Sequence, residues 1–170
     1  MRRFFLSVLM VLSFHPVAQA SVISQHVPDA AKVGEGRLSV LFWDVYDATL
    51  YAPEGRWDGS KPFALSLNYL HAIKGQDIAN ASVEEIRKQG FTDEIKLAAW
   101  HTQMREIFPD VTLGTELTGI YMPGEPTRFY QDGQQIGMIH DAKFGHYFFN
   151  IWLAENTSNT QLRHQLLGAR

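Results

Sequence analysis

The run from Gly34 to Tyr51, GEGRLSVLFWDVYDATLY, is β-prone throughout and longer than one ordinary strand. From Arg37 onward its alternation would have to survive fifteen residues, so a bend or bulge is expected near Trp43-Asp44. Its one strong charge near the start is Arg37. A guanidinium at the mouth of an otherwise apolar, aromatic-rich segment has two readings. It anchors an anionic or enolate-like ligand head, or it is a surface charge on an edge strand, paired with Glu35 or Asp44 or facing water.

Further strands and helices follow from local pattern. Pro62–Leu70 alternates, with Phe63, Leu65, Leu67 and Tyr69 on one face and Ala64, Ser66 and Asn68 on the other, which predicts a half-buried strand. Ser82-Val83-Glu84-Glu85 has the form of a capping box and predicts a helix start there, with its end at Gly90. A second helix from about Thr92 aligns Leu97, Trp100, Met104 and Ile107, and Pro109 stops it. Strands are expected at 112–121 and 127–130, with a type I′ hairpin turn at Asp132-Gly133. Phe144–Leu153 is apolar nearly all round and predicts a buried helix. A last box, Ser158–Gln161, opens a short helix ended by Gly168. Residues 21–33 read as a lead-in arm with a possible first strand at Val22-Ile23-Ser24.

The first twenty residues carry Arg2 and Arg3, an apolar stretch from Phe4 to Phe14, and Ala18-Gln19-Ala20. This is the form of a signal peptide cleaved near Ala20, too short and wrongly flanked for a spanning helix. The expected organisation is a leader at 1–20 and a single domain at 21–170, periplasmic or secreted, with no integral membrane segment after cleavage. Cleavage removes two basic and no acidic side chains, leaving 13 against 18 and a net charge of −5. That balance argues against nucleic acid. The absence of cysteine excludes thiolate nucleophiles, thiolate metal sites and a lipidated N-terminus.

GEGR followed by FWDVYDATLYAP, then PFALSLNYL, IFPDVTLGTELTG, TRFYQDGQQIG and FFNIWLAENTS with LRHQLLG, resembles the bacterial secreted branch of the chalcone isomerase-like family over about residues 33–168. The resemblance implies an α+β fold: an antiparallel sheet with helices layered on one face, an open-faced β-sandwich, and a ligand cleft between. It also implies a choice among ring-closing isomerases, fatty-acid-binding members and members without assigned activity, so the fold leaves function open.

In plant enzymes of the family, as the resemblance carries it, an arginine beside a glycine-rich approach binds developing negative charge, aided by threonine, tyrosine and asparagine. Arg37 matches that arginine, and Tyr46 falls at the first threonine. The catalytic tyrosine and asparagine fall near 91–95, where neither occurs, and the late threonine falls close to Ile151. Losing one donor to an oxyanion costs about 10²- to 10³-fold in rate. The expectation is therefore a non-catalytic domain binding a small amphipathic or fatty-acid-like ligand, its carboxylate on Arg37 backed by Tyr46 or Tyr69. The alternatives are an isomerase, or intramolecular lyase, acting on an enone, and a periplasmic accessory protein that docks another protein. No cofactor is expected: Gly34-Glu35-Gly36-Arg37 is not a dinucleotide fingerprint. His140, Asp141 and His146 lack a metal-binding spacing, and Asp141 is expected to cap a helix.

Overall fold

Each strand pairs with its successor. Strands β1 (Ala30–Val40), β2 (Trp43–Pro53), β3 (Phe63–Tyr69), β4 (Glu116–Tyr121), β5 (Thr127–Gln131) and β6 (Gln134–Ile139) form one antiparallel sheet in sequence order. The computed structural model describes residues 17–168. Helix α1 (Val17–His26) precedes the sheet, α2 (Gly75–Lys88) and α3 (Glu94–Ile107) connect β3 to β4, and α4 (Phe144–Leu153) and α5 (Thr160–Leu166) follow β6. This is the expected α+β architecture. Most of the expected leader, residues 1–16, lies outside the described residues, and the expected cleavage position falls within α1.

The long β-prone run is two strands rather than one bent strand. Leu41 takes a positive φ of 57°, and the chain reverses at Leu41-Phe42 so that Val40 pairs with Trp43 and Arg37 with Asp47. The reversal pairs strands that a single extended segment would leave apart. The second hairpin is as expected, with Asp132 and Gly133 at φ 48° and 82°.

Helices α2 to α5 cover one face of the sheet. Into that layer go the alternate residues Tyr46, Ala48, Leu50 and Ala52 of β2 and Phe63, Leu65, Leu67 and Tyr69 of β3, together with Leu97, Trp100 and Met104 of α3. Aromatic rings knit α4 to the sheet: Phe149 meets Phe63 edge-on at 5.0 Å, and Phe148 meets Phe129 at 5.3 Å. The opposite face is also partly covered. Val22, Ile23 and Val27, at the end of α1 and just after it, pack on Ala64, Ile120 and Tyr130. The residues expected as a strand at 22–24 are therefore helical, and β3 is buried on both faces over Ala64 and Ser66, where the Ser66 and Thr118 hydroxyls bond at 2.8 Å.

Both predicted capping boxes are absent. Helix α2 begins seven residues before Ser82, where the Asp110 carboxylate accepts from the Gly75 amide at 2.9 Å. Ser82 then lies mid-helix and donates to the Ile78 carbonyl at 2.8 Å. At α5, Ser158 donates instead to Glu85 Oε2 at 2.6 Å, tying the α4–α5 loop to α2. Helix α3 does have a side-chain cap, Asp93 accepting from the Lys96 amide at 2.9 Å. Near α4, Asp141 accepts from the Lys143 amide at 2.9 Å and from Trp100 Nε1 at 3.1 Å, and it pairs with Lys96.

Leu50→Ala, at a fully buried position of β2, is expected to lower unfolding stability by about 2–5 kcal/mol in urea titrations. Ile95→Ala, on the exposed side of α3, should change it by no more than about 0.5 kcal/mol. Similar losses at the two sites would contradict this core.

Candidate functional site

The helix layer does not fill the space it covers. A cavity of about 340 Å³ lies between the sheet and α2, α4 and α5. Leu65 and Leu67 of β3, Leu117 of β4 and Phe129 of β5 form its floor, and Phe148, Phe149 and Trp152 of α4 form much of its roof. Val40, Asp77, Ala81, Ser158 and Asn159 line it and are themselves exposed, so the mouth opens between the β1–β2 turn, α2 and the α4–α5 loop.

Two tyrosines bring polarity to this apolar wall. Tyr46 and Tyr69 are partners across β2 and β3, both buried, with rings edge-to-face at 5.7 Å. Tyr46 Oη accepts from Trp152 Nε1 at 2.8 Å, which leaves its own proton free to donate. Burial pushes the Tyr46 pKa up, opposed by the Trp152 hydrogen bond and reinforced by the charge of Glu85. Tyr69 is pushed up mainly by burial, with Tyr46 adding to it. Both are neutral O–H groups at physiological pH. Glu85 lines the cavity from α2; burial alone would raise its pKa, but hydrogen bonds from Lys88 and Ser158 hold it below the usual carboxylate range.

Arg37 is not in this site. Along β1, Gly36 and Leu38 face α5 and the cavity, so Arg37 between them points to the opposite face. There its Nε donates to Asp47 Oδ1 at 2.6 Å, Nη2 to Asp47 Oδ2 at 2.9 Å and Nη1 to Asp44 Oδ2 at 2.9 Å. The hydrogen bonds it donates to Asp47, then to Asp44, raise its pKa further, and its side chain remains half exposed. The expectation of Arg37 as the anion anchor is therefore corrected: strand alternation turns it away from the cleft and two aspartates occupy its donors. Of the three expected site residues, the structure brings together Tyr46 and Tyr69. Sequence reasoning missed Trp152, Glu85 and Ser158, because the loop-to-helix approach that groups them has no local pattern.

The glycines before Arg37 have a structural role. A Cβ at Gly34 would overlap the Gln165 and Leu166 carbonyls, and one at Gly36 would overlap Gln165 and Leu162. Both positions let α5 lie directly on β1.

Three comparisons bear on this geometry. The chain is 30% identical over 125 residues to an uncharacterized protein of Haemophilus influenzae, an alignment covering 73% of this chain and 61% of that protein, so the chain spans less than two thirds of its relative's length. Its fold is similar to that of a fatty-acid binding protein of Arabidopsis thaliana, with a TM-score of 0.64 at 14% identity over 83% of this chain and 88% of that one. A family model described as chalcone isomerase-like matches residues 33–168, which takes in the whole sheet from Val33, the four helices over it and every residue lining the cavity, and the chain belongs to that family.

Proposed function

We propose that the protein is a non-catalytic binding protein of the chalcone isomerase-like family that holds a small hydrophobic or amphipathic molecule, of the fatty-acyl type, in the cavity over β3 and β4. The observation that carries this reading is the cavity itself, about 340 Å³ and walled mainly by aliphatic and aromatic side chains. Its size falls at the small end of the ~300–1,000 Å³ range of ligand pockets. Protein interiors otherwise pack to crystal-like density, so an apolar void of this size, open at one end, is space reserved for something. The shared fold with a fatty-acid binding protein supports the same class of ligand.

We further propose that the chain is of the secreted bacterial branch, exported to the periplasm by cleavage near Ala20. The leader composition of residues 1–20 supports this. Among the described residues no helix is long and apolar enough to cross a membrane.

The isomerase reading keeps two groups that could polarise a substrate carbonyl, Tyr46 and Tyr69, but Arg37, which was to carry the enolate charge, faces away from them. Stabilising developing negative charge is the main catalytic demand of such a reaction, so binding is the favoured reading.

The full chain purified from a bacterial host is expected to release apolar molecules into organic solvent, detected by mass spectrometry. Leu67→Trp, which fills the cavity from its floor, should retain at least several-fold less while keeping a cooperative thermal melt. A folded variant that retains as much as the parent, or a parent that carries nothing and takes up no added fatty-acyl ligand, would contradict the binding reading. Export predicts a product beginning at Ser21 by intact mass; a periplasmic fraction devoid of it would contradict export.

A further inference from the structure

We infer that the cavity selects a neutral headgroup that accepts hydrogen bonds, the carbonyl of an ester, amide or ketone, and discriminates against a free carboxylate. The inference rests on the binding reading and specifies which ligands it admits. Among the described residues no lysine or arginine lines the cavity, and the charged residues that do are Asp77 and Glu85. Lys88 bonds to Glu85 at 2.8 Å but lies outside the lining, and Arg37 is held by Asp44 and Asp47 on the other face of the sheet. A carboxylate entering this space would lose its hydration without meeting a cation and would face the Glu85 charge.

The donors, in contrast, are in place. Tyr46 already accepts from Trp152, so its proton is what it has left to offer. Tyr69 is 97% buried and lines the cavity; its backbone is bonded to Thr115 and Gly114, but its hydroxyl has no hydrogen-bond partner among the described residues. The Tyr69 hydroxyl is open to the cavity, and a ligand carbonyl oxygen, with two lone pairs, can accept from one or both tyrosines without bringing charge.

The test is a matched pair, a long-chain fatty acid and its methyl ester, titrated into the full chain near neutral pH. Retention is measured by mass spectrometry after gel filtration. The ester is expected to bind at least tenfold more tightly than the acid. Tyr69→Phe should weaken the ester by about three- to tenfold, and Glu85→Gln should narrow the gap between ester and acid. Equal or tighter binding of the acid overturns the headgroup inference and leaves the binding reading standing. Binding of neither, together with no retained apolar molecule, overturns the binding reading beneath it.

A separate observation carries a second inference. The β1–β2 turn presents Val40, Leu41, Phe42 and Trp43 in succession, with Leu41 89% and Phe42 99% exposed. We infer that this tip inserts into the surface of a lipid bilayer, the reservoir from which an apolar ligand would come. The tip is a two-residue turn, and its few side chains, at ~150–250 Å² for each aromatic, fall short of the ~800 Å² per partner of a stable protein interface. A fluid bilayer interface accepts such a shape and favours tryptophan at its polar boundary. The tip is also continuous with the cavity mouth: Val40 lines the cavity, and Val45 and Ile73 line both it and the shallow hollow under Trp43 and His71.

The chain has no cysteine, so Phe42→Cys and Ile95→Cys each take a single environment-sensitive fluorophore. On phosphatidylcholine vesicles, the label at 42 should shift to the blue and be quenched by nitroxide-bearing lipid, while the label at 95 stays in water. A tip label that remains aqueous, or equal quenching at both positions, overturns the inference.

Discussion

The distance between the sheet and its cover depends on how closely α5 can approach β1, and that approach depends on Gly34 and Gly36. Any side chain at either position would overlap the α5 backbone or Gln165. With α5 seated, Leu162 closes one end of the cavity and Leu38 faces inward beneath it. The same strand geometry turns Arg37 outward, where Asp47 stands directly across β2. One pair of glycines thus sets the wall of the cavity, and the alternation of the same strand keeps Arg37 out of it.

The chemistry of the site follows from that exclusion. An apolar space with two buried tyrosine hydroxyls and two carboxylates, Asp77 and Glu85, in its lining is suited to holding a molecule by shape, burial and a hydrogen bond or two. It is poorly suited to stabilising an enolate, because the developing charge would have no counterion within the lining. The hydrogen bond from Trp152 to Tyr46 fixes one donor, and the Ser158–Glu85 bond ties the loop over the mouth to α2. The polar groups position the binding space, and its volume comes from the aliphatic floor and aromatic roof.

Much of the fold was legible because it rests on local rules. The strand over Phe63–Tyr69, the Asp132-Gly133 turn and the apolar stretch of α4 each follow a short-range constraint, although β3, read as half-buried, is covered on its second face as well over Ala64 and Ser66. The failures have a common cause. Ser82 and Ser158 read as caps, but long-range partners, Asp110 for the start of α2 and Glu85 for Ser158, decided how those segments bond. Val22-Ile23-Ser24 read as a strand because its burial against Ile120 and Tyr130 is invisible over three residues. Arg37 was misplaced for a subtler reason: alternation says that its neighbours face the other way, but not which side of the sheet the helices cover. Tyr46 and Tyr69 line the cavity because both sit on the register of their strands that faces the helices.

On this reading the space between sheet and helices receives an apolar chain. Intermolecular nuclear Overhauser effects between the alkyl protons of a bound long-chain ester and selectively labelled methyl groups test it most directly. Contacts are expected to Leu65, Leu67 and Leu117, and none to Val22 or Ile23 on the opposite face. Saturated binding with no contact to the three cavity leucines would contradict it.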